Sequence, residues 1–217
     1  MKLCTGLQRI CWLGKIDAVG RLSSIMGWME NAMSARTLVT LTFLFALLAT
    51  PAVAQKNLLD SHPLLVAAYG GENDEVRRLL MRGTSAETID SQYRTPLIWA
   101  TIAGRTDTVT IILKFLPNLD HQDDLGKTAL FQAADLGHID ITDALIAAGA
   151  DVGVANKEGV SALMASVRNG DFVTSQLLVD SGADVSRSDY AGRTVLEWAR
   201  GGRSSRLVRM LQEAGAQ

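Results

Sequence analysis

Cysteine and histidine are scarce in this sequence, which limits the chemistry that it can support. The 217 residues include two cysteines, Cys4 and Cys11, and three histidines. Because both cysteines lie at the start of the chain, the remainder can form neither a disulfide nor a thiolate metal site. His62, His121 and His138 form no H-x-x-x-H pair and no His/Asp cluster at the spacing of metal ligands.

Catalytic sequence motifs are also missing. The chain has no glycine-rich phosphate loop, no G-x-S-x-G motif and no paired-carboxylate motif. The acidic stretch DHQDD, Asp120–Asp124, falls in a polar loop, and we expect a solvated turn there rather than a cation site. The sequence therefore predicts a protein that is not an enzyme, with no catalytic, cofactor-binding or metal-binding residues and no cofactor.

Basic side chains are not in excess. The chain has 21 Lys and Arg against 23 Asp and Glu, a net charge of −2. Removal of residues 1–54, for which the reason is given next, would leave 16 basic and 21 acidic side chains, a net charge of −5. Nucleic acids and anionic membranes attract proteins through basic patches. We therefore expect a protein partner, no nucleic acid, and membrane contact only transiently during export.

One apolar run, residues 37–49, has the layout of a secretory signal. Arg36 precedes it, Pro51 ends it, and Ala52-Val53-Ala54 forms an A-x-A cleavage site. Thirteen helical residues would extend roughly 20 Å, less than the ~30 Å of a bilayer core. Residues 33–54 are therefore predicted to be a signal peptide that is cleaved after Ala54, which predicts a periplasmic or secreted protein.

A membrane anchor is the alternative interpretation of the same segment. No charged residue lies between Arg36 and Lys56. An uncleaved segment over residues 37–55 would then hold the protein at the inner membrane.

The first 32 residues precede a second possible start at Met33. They contain scattered charges and no sustained apolar period. We expect residues 1–32 to be an upstream extension from a misassigned start codon, and a disordered cytoplasmic arm in front of an anchor is the alternative.

The chain beyond residue 61 repeats with a period of 33 residues. The helix-like segment that opens each unit recurs five times without insertion or deletion, as HPLLVAAYGG, TPLIWATIAG, TALFQAADLG, SALMASVRNG and TVLEWARGGR. A short linker, residues 55–61, is followed by units at 62–94, 95–127, 128–160, 161–193 and 194–217. Periods of this size are typical of solenoids, in which stacked units share one continuous core.

The pattern within each unit predicts helix, turn, helix and an extended loop. Thr or Ser opens four of the five units and suits a helix N-cap. The third position is always leucine and the sixth is always Ala or Ser, on one face of the first helix. Gly71 and its equivalents permit the turn to the second helix. The polar end of each unit, which we call the finger, closes with Gly126, Gly159 or Gly192.

These features resemble the ankyrin repeat family, whose signature is a 33-residue period with T-P-L-H-x-A. The matching segments are TPLIWA, DLGHIDITDALIAAGADV and DFVTSQLLVDSGADV. The resemblance implies an all-α repeat solenoid, an ankyrin repeat stack of about five helix-turn-helix units with finger loops over residues 62–217. Together with the signal, it resembles exported bacterial ankyrin repeat proteins, which implies a monomer that binds proteins.

The sequence departs from the family pattern at several positions. The histidine of TPLH is absent from every unit, so packing must replace its hydrogen bond with the threonine. Tyr93 stands in place of a finger glycine, which predicts a finger of different shape. Leu116-Pro117 replaces the Gly-Ala that ends a second helix, and Arg203 replaces a glycine between helices.

The resemblance also implies where a partner binds. In the family, the fingers and the exposed face of the first helix line a concave surface. Apolar, aromatic and arginine side chains at exposed positions favour contact with a partner. Carried over by position, the candidate partner-binding residues are Tyr69, Tyr93, Arg94, Ile102, Leu125, Lys127, Asp135, Leu136, Arg168, Tyr190 and Arg193.

Three functions follow as expectations. The first is an exported adaptor that binds another protein in the periplasm through the concave surface. The second is a membrane-tethered adaptor, anchored by residues 37–55. The third is a small-molecule binder or enzyme with an unrecognised site.

Overall fold

In the described part of the chain, residues 62–201 and 204–216, the computed structural model contains ten α-helices and no extended strand. They form five successive pairs: α1 (Pro63–Gly70) and α2 (Asn73–Met81), α3 (Pro96–Ile102) and α4 (Thr106–Leu113), α5 (Ala129–Leu136) and α6 (Ile139–Ala147), α7 (Ala162–Arg168) and α8 (Phe172–Asp180), α9 (Val195–Gly201) and α10 (Ser205–Glu213). Each first helix packs against the first helix of the next pair. The predicted all-α repeat stack is confirmed. Residues 1–61, with the expected upstream extension, signal peptide and linker, and Arg203 lie outside the described residues.

Side chains of the opening residues hold the starts of the first helices. The hydroxyls of Thr95, Thr128 and Ser161 accept hydrogen bonds from the backbone N–H three residues later, at 3.3, 3.1 and 3.3 Å. Pro63 and Pro96 occupy the first helical position, where a missing N–H is tolerated. The helix starts therefore lie where the sequence predicts them.

The core follows the 33-residue period. The third-position leucines Leu64, Leu97, Leu130 and Leu163 are fully buried, and the small sixth-position residues lie against them. The fourth position, where the family has histidine, is buried in four units by Leu65, Ile98, Phe131 and Met164. Apolar packing thus replaces the lost histidine bond, except in the last unit, where Glu197 is exposed.

A buried Asp or Asn that was not predicted from the sequence organises each of the four fingers. The side chains of Asp90, Asp123, Asn156 and Asp189 recur at 33-residue intervals, and each Oδ1 accepts two backbone N–H groups, two and four residues later, at 2.8–3.0 Å. The expectation that Asp120–Asp124 is a solvated turn is wrong for Asp123, which is buried because its carboxylate supplies these bonds. The repeated D/N-x-x-G/Y-x-T/S was the available signal.

Adjacent fingers are joined by one backbone hydrogen bond each. The N–H groups of Asp124, Lys157 and Tyr190 donate to the carbonyls of Gln92, Leu125 and Glu158 at 3.0–3.1 Å. At Gly159 an added Cβ would lie 2.8 Å from the Tyr190 nitrogen, so this close approach favours glycine.

Tyr93 adopts the glycine conformation of its equivalents. Its φ is 59°, against 78° at Gly126 and 79° at Gly159. The bond from Asp124 to Gln92 is kept at 3.0 Å, and His121 Nε2 donates to the Tyr93 carbonyl at 2.8 Å. The expected change of finger shape is therefore wrong, because these bonds hold the same turn despite the side chain. Leu116 is likewise at positive φ, 52°, where the other units have glycine.

None of the helices within residues 62–201 and 204–216 has the length and the apolar character that a membrane span requires.

Candidate partner-binding surface

The eleven candidate residues lie on the fingers and on the ends of the first helices, and we call this the finger surface. Six of them are exposed: Tyr93, Leu125, Leu136, Arg168, Tyr190 and Arg193. The other five are partly buried: Tyr69, Arg94, Ile102, Lys127 and Asp135. The exposed members are thus available to a partner, whereas the partly buried members have contacts within the chain.

The first cluster on this surface surrounds Trp99. Its indole Nε1–H donates to the buried carboxylate of Asp90 at 2.9 Å, and Tyr69 packs edge-to-face on its ring at 5.4 Å between centroids. The Arg94 guanidinium lies 4.9 Å from the ring centroid, and Ile102 packs against the same group. Tyr69 and Arg94, from the preceding unit, and Ile102, three residues after Trp99 on α3, therefore support the tryptophan.

The second cluster is centred on Asp135, at the end of α5. Its carboxylate pairs with Arg168 at 2.5 Å and lies 3.9 Å from the Lys127 ammonium. The Asn169 amide donates to the Asp135 carbonyl at 2.5 Å. Lys127 also lies 5.3 Å from the Phe131 ring centroid. These contacts join units two, three and four, so the structure brings three predicted candidates together.

The third cluster lies around Trp198. Arg193 and Arg168 both lie over its ring, at 4.0 and 5.7 Å from the centroid. Arg193 Nε donates to Asp189 Oδ2 at 2.9 Å. Burial opposes ionisation of Asp189, but bonds from the Arg193 backbone and guanidinium and from the Ala191 N–H outweigh it and lower the pKa of Asp189. Asp189 therefore stays a carboxylate that holds both the finger turn and Arg193.

The exposed apolar members of the finger surface are distributed over three fingers and one helix end. The side chains of Tyr93, Leu125 and Tyr190 lie on the first, second and fourth fingers, and Leu136 lies at the end of α5. The Tyr190 ring approaches Gly159 of the preceding finger. These exposed side chains leave hydrophobic area uncovered in the described chain.

The described residues contain no cluster of metal ligands, and two depressions in their surface are open to solvent. These residues hold no group of three His, Cys, Asp or Glu side chains that suits a metal ion. The two depressions, of about 390 and 330 Å³, lie beside α10 and at the turns after α1 and α3. Arg105, which lines the second depression, donates to the Tyr69 carbonyl at 3.3 Å.

Two comparisons with known proteins bear on this geometry. A family model described as ankyrin repeats (3 copies) matches residues 64–156 and 137–217. No curated protein matches the chain.

Proposed function

Because the chain belongs to the ankyrin repeat family, we propose that it is an exported adaptor that binds another protein in the periplasm through the finger surface. Ankyrin repeats generally mediate protein–protein contact, and the family is generally not enzymatic. The exposed Tyr93, Leu125, Leu136 and Tyr190 support this proposal, since aromatic and apolar side chains contribute strongly at protein interfaces.

The observation that carries the proposal is Tyr93. A non-glycine residue at positive φ costs about 1–2 kcal/mol. The Tyr93 side chain is 58 % exposed, so burial within the chain offsets little of that cost. Contact of the ring with a partner is a reason for the chain to keep tyrosine where the equivalent fingers have glycine.

Replacement of Tyr93 by glycine tests this reason. Tyr93→Gly relieves the positive-φ strain and keeps both backbone hydrogen bonds, so we expect a melting temperature equal to or above that of the parent protein. Loss of the ring should lower capture of the partner from periplasmic extract, about tenfold if Tyr93 is a hot spot. Capture is measured by crosslinking and mass spectrometry at matched protein concentrations.

Leu116→Gly is the matched control. Leu116 has the same kind of strained backbone and is 90 % exposed, but it lies at the end of α4 and off the finger surface. We expect the same gain in stability and unchanged capture. Equal capture by the parent protein and Tyr93→Gly, or equal losses in the two variants, would argue against the finger surface.

Export is a separate part of the proposal and has its own test. A chain that begins at Met33 should give the same processed protein as the full sequence, with Gln55 as its N-terminus, because the A-x-A site ends at Ala54. Mass spectrometry of the periplasmic fraction measures this. Ala54→Arg should block processing. A mature protein that retains residues 37–48 and sediments with membranes would instead favour the anchored adaptor.

A further inference from the structure

Two exposed arginines share one tryptophan at the junction of the fourth and fifth units. Arg193 and Arg168 lie 4.0 and 5.7 Å from the Trp198 ring centroid, and their side chains are 53 % and 42 % exposed. A guanidinium that stacks on an aromatic ring is held in place while its N–H groups remain available. In the described chain each guanidinium gives one N–H group to a carboxylate, Arg168 to Asp135 and Arg193 to Asp189, and its other N–H groups are left for an external acceptor.

The same positions at the junction of the first and second units show how this site differs. There Trp99 Nε1–H donates to Asp90 Oδ2 at 2.9 Å. Trp198 and Asp189 occupy the equivalent positions, three repeat periods later. Trp198 Nε1 is buried but has no hydrogen-bond acceptor in the described part of the chain, and the Asp189 Oδ2 that would serve it is bonded to Arg193. A buried N–H without an acceptor is destabilising.

Asp189 Oδ2 thus has two possible donors, Arg193 Nε–H and Trp198 Nε1–H. If Arg193 turns to an external acceptor, Asp189 Oδ2 becomes free for Trp198, as Asp90 is for Trp99. Asp189 Oδ2 then keeps a donor after Arg193 has left, and the Trp198 indole gains the acceptor that it lacks. This exchange makes Arg193 easier to recruit than an arginine whose carboxylate would be left unpaired.

We propose that Arg168 and Arg193 bind carboxylates of an acidic segment in the protein partner. When Arg193 binds that segment, Trp198 Nε1–H donates to Asp189 Oδ2 in its place. This inference rests on the proposed function and specifies the chemistry of the partner. Guanidinium groups bind carboxylates through paired N–H donors. The two clusters together have a net charge of about +1, because they contain three basic side chains, Lys127, Arg168 and Arg193, and two carboxylates, Asp135 and Asp189. The net charge of −2 for the whole chain makes a nucleic acid a poor occupant.

Indole NMR on the ¹⁵N-tryptophan-labelled full chain tests the exchange. Trp198→Phe assigns the Trp198 Nε1–H signal. The probe is a capped hexaglutamate peptide, with capped hexaglutamine as its uncharged equivalent. We expect the glutamate peptide to move the Trp198 signal saturably downfield, toward the position of the Trp99 signal, and the glutamine peptide to leave it in place.

Arg193→Met separates the exchange from general charge attraction. Methionine keeps an unbranched apolar side chain over the ring but has no N–H donor, so the Trp198 signal should already be shifted without peptide. The affinity for hexaglutamate should fall about tenfold. Arg206→Met is the matched control, because Arg206 is also exposed and lies 3.6 Å from the centroid of an aromatic ring, that of Phe172, but it belongs to α10 and not to the finger surface. This control should bind the peptide as the parent does.

The inference would be overturned by an unmoved Trp198 signal under saturating hexaglutamate, by equal effects of the two peptides, or by equal losses in Arg193→Met and Arg206→Met. Stronger binding of inorganic phosphate than of hexaglutamate would also overturn it, in favour of a phosphate ligand. If the inference fails while Tyr93→Gly still lowers partner capture, the adaptor function stands with a partner of different chemistry. If Tyr93→Gly has no effect but hexaglutamate binds as expected, the acidic site stands and the role of Tyr93 fails.

Discussion

Replacement of Leu130 by alanine should lower the free energy of unfolding by about 2–5 kcal/mol, as deletion of a buried leucine side chain generally does. Leu130 is 1 % exposed, and α5 packs against α3 and α7 on its two sides. Because each unit contacts its neighbours, the cavity weakens two interfaces as well as one helix. Thermal and urea denaturation followed by circular dichroism measure the loss.

Leu136→Ala is the control for this prediction. Leu136 lies on the same helix but is 48 % exposed, so its truncation should change the stability by about 0.5 kcal/mol or less. A melting temperature of Leu130→Ala within a degree of the parent would contradict the assignment of Leu130 to the core.

Replacement of Asp123 by alanine should have the second large effect, roughly 3 kcal/mol of lost stability. Its Oδ1 accepts the N–H groups of Leu125 and Lys127 at 2.9 and 2.8 Å, and a hydrogen bond to a charged group contributes about 1.5–3 kcal/mol. Urea denaturation measures the loss. Amide hydrogen exchange should be fastest in the finger that Asp123 holds.

Asp123→Asn separates the hydrogen bonds from the charge. Asn156 makes the same two bonds through its amide oxygen, at 2.9 Å each, in the next finger. Asn at 123 should therefore recover most of the stability that alanine loses. Asp124→Ala, at the exposed neighbour, should be close to neutral. Equal losses in Asp123→Ala and Asp123→Asn would show that the charge matters more than the turn.

Local signals in the sequence were sufficient for the secondary structure of each unit. A hydroxyl at the opening position predicts a helix start because it bonds an N–H only three residues away. A glycine at the close of the finger predicts positive φ, because glycine has no Cβ and adopts this conformation without strain. Both signals are local to the chain. Tyr93 shows the limit of this reasoning, because bonds from Asp124 and His121 hold its turn in the glycine conformation.

The candidate surface was predicted less completely. The position of each residue within the repeat was enough to propose eleven residues for the finger surface, and six of these eleven residues are exposed. It did not identify Tyr69 and Arg94 as supports for Trp99, because both belong to the preceding unit. Their contribution to binding, like that of the exposed six, stays a prediction.

By itself the sequence determined the 33-residue period, the helix pairs and the buried leucines, because these depend on residue preferences and on spacing within one unit. Only the tertiary structure decided that Asp123 is buried and that Trp99 and Trp198 differ. Both tryptophans occupy the same position of the repeat, yet Asp90 serves one indole while Asp189 is bonded to Arg193. The physical reason is competition: each carboxylate oxygen binds the donor that the folded chain brings nearest, and that depends on neighbouring side chains in three dimensions.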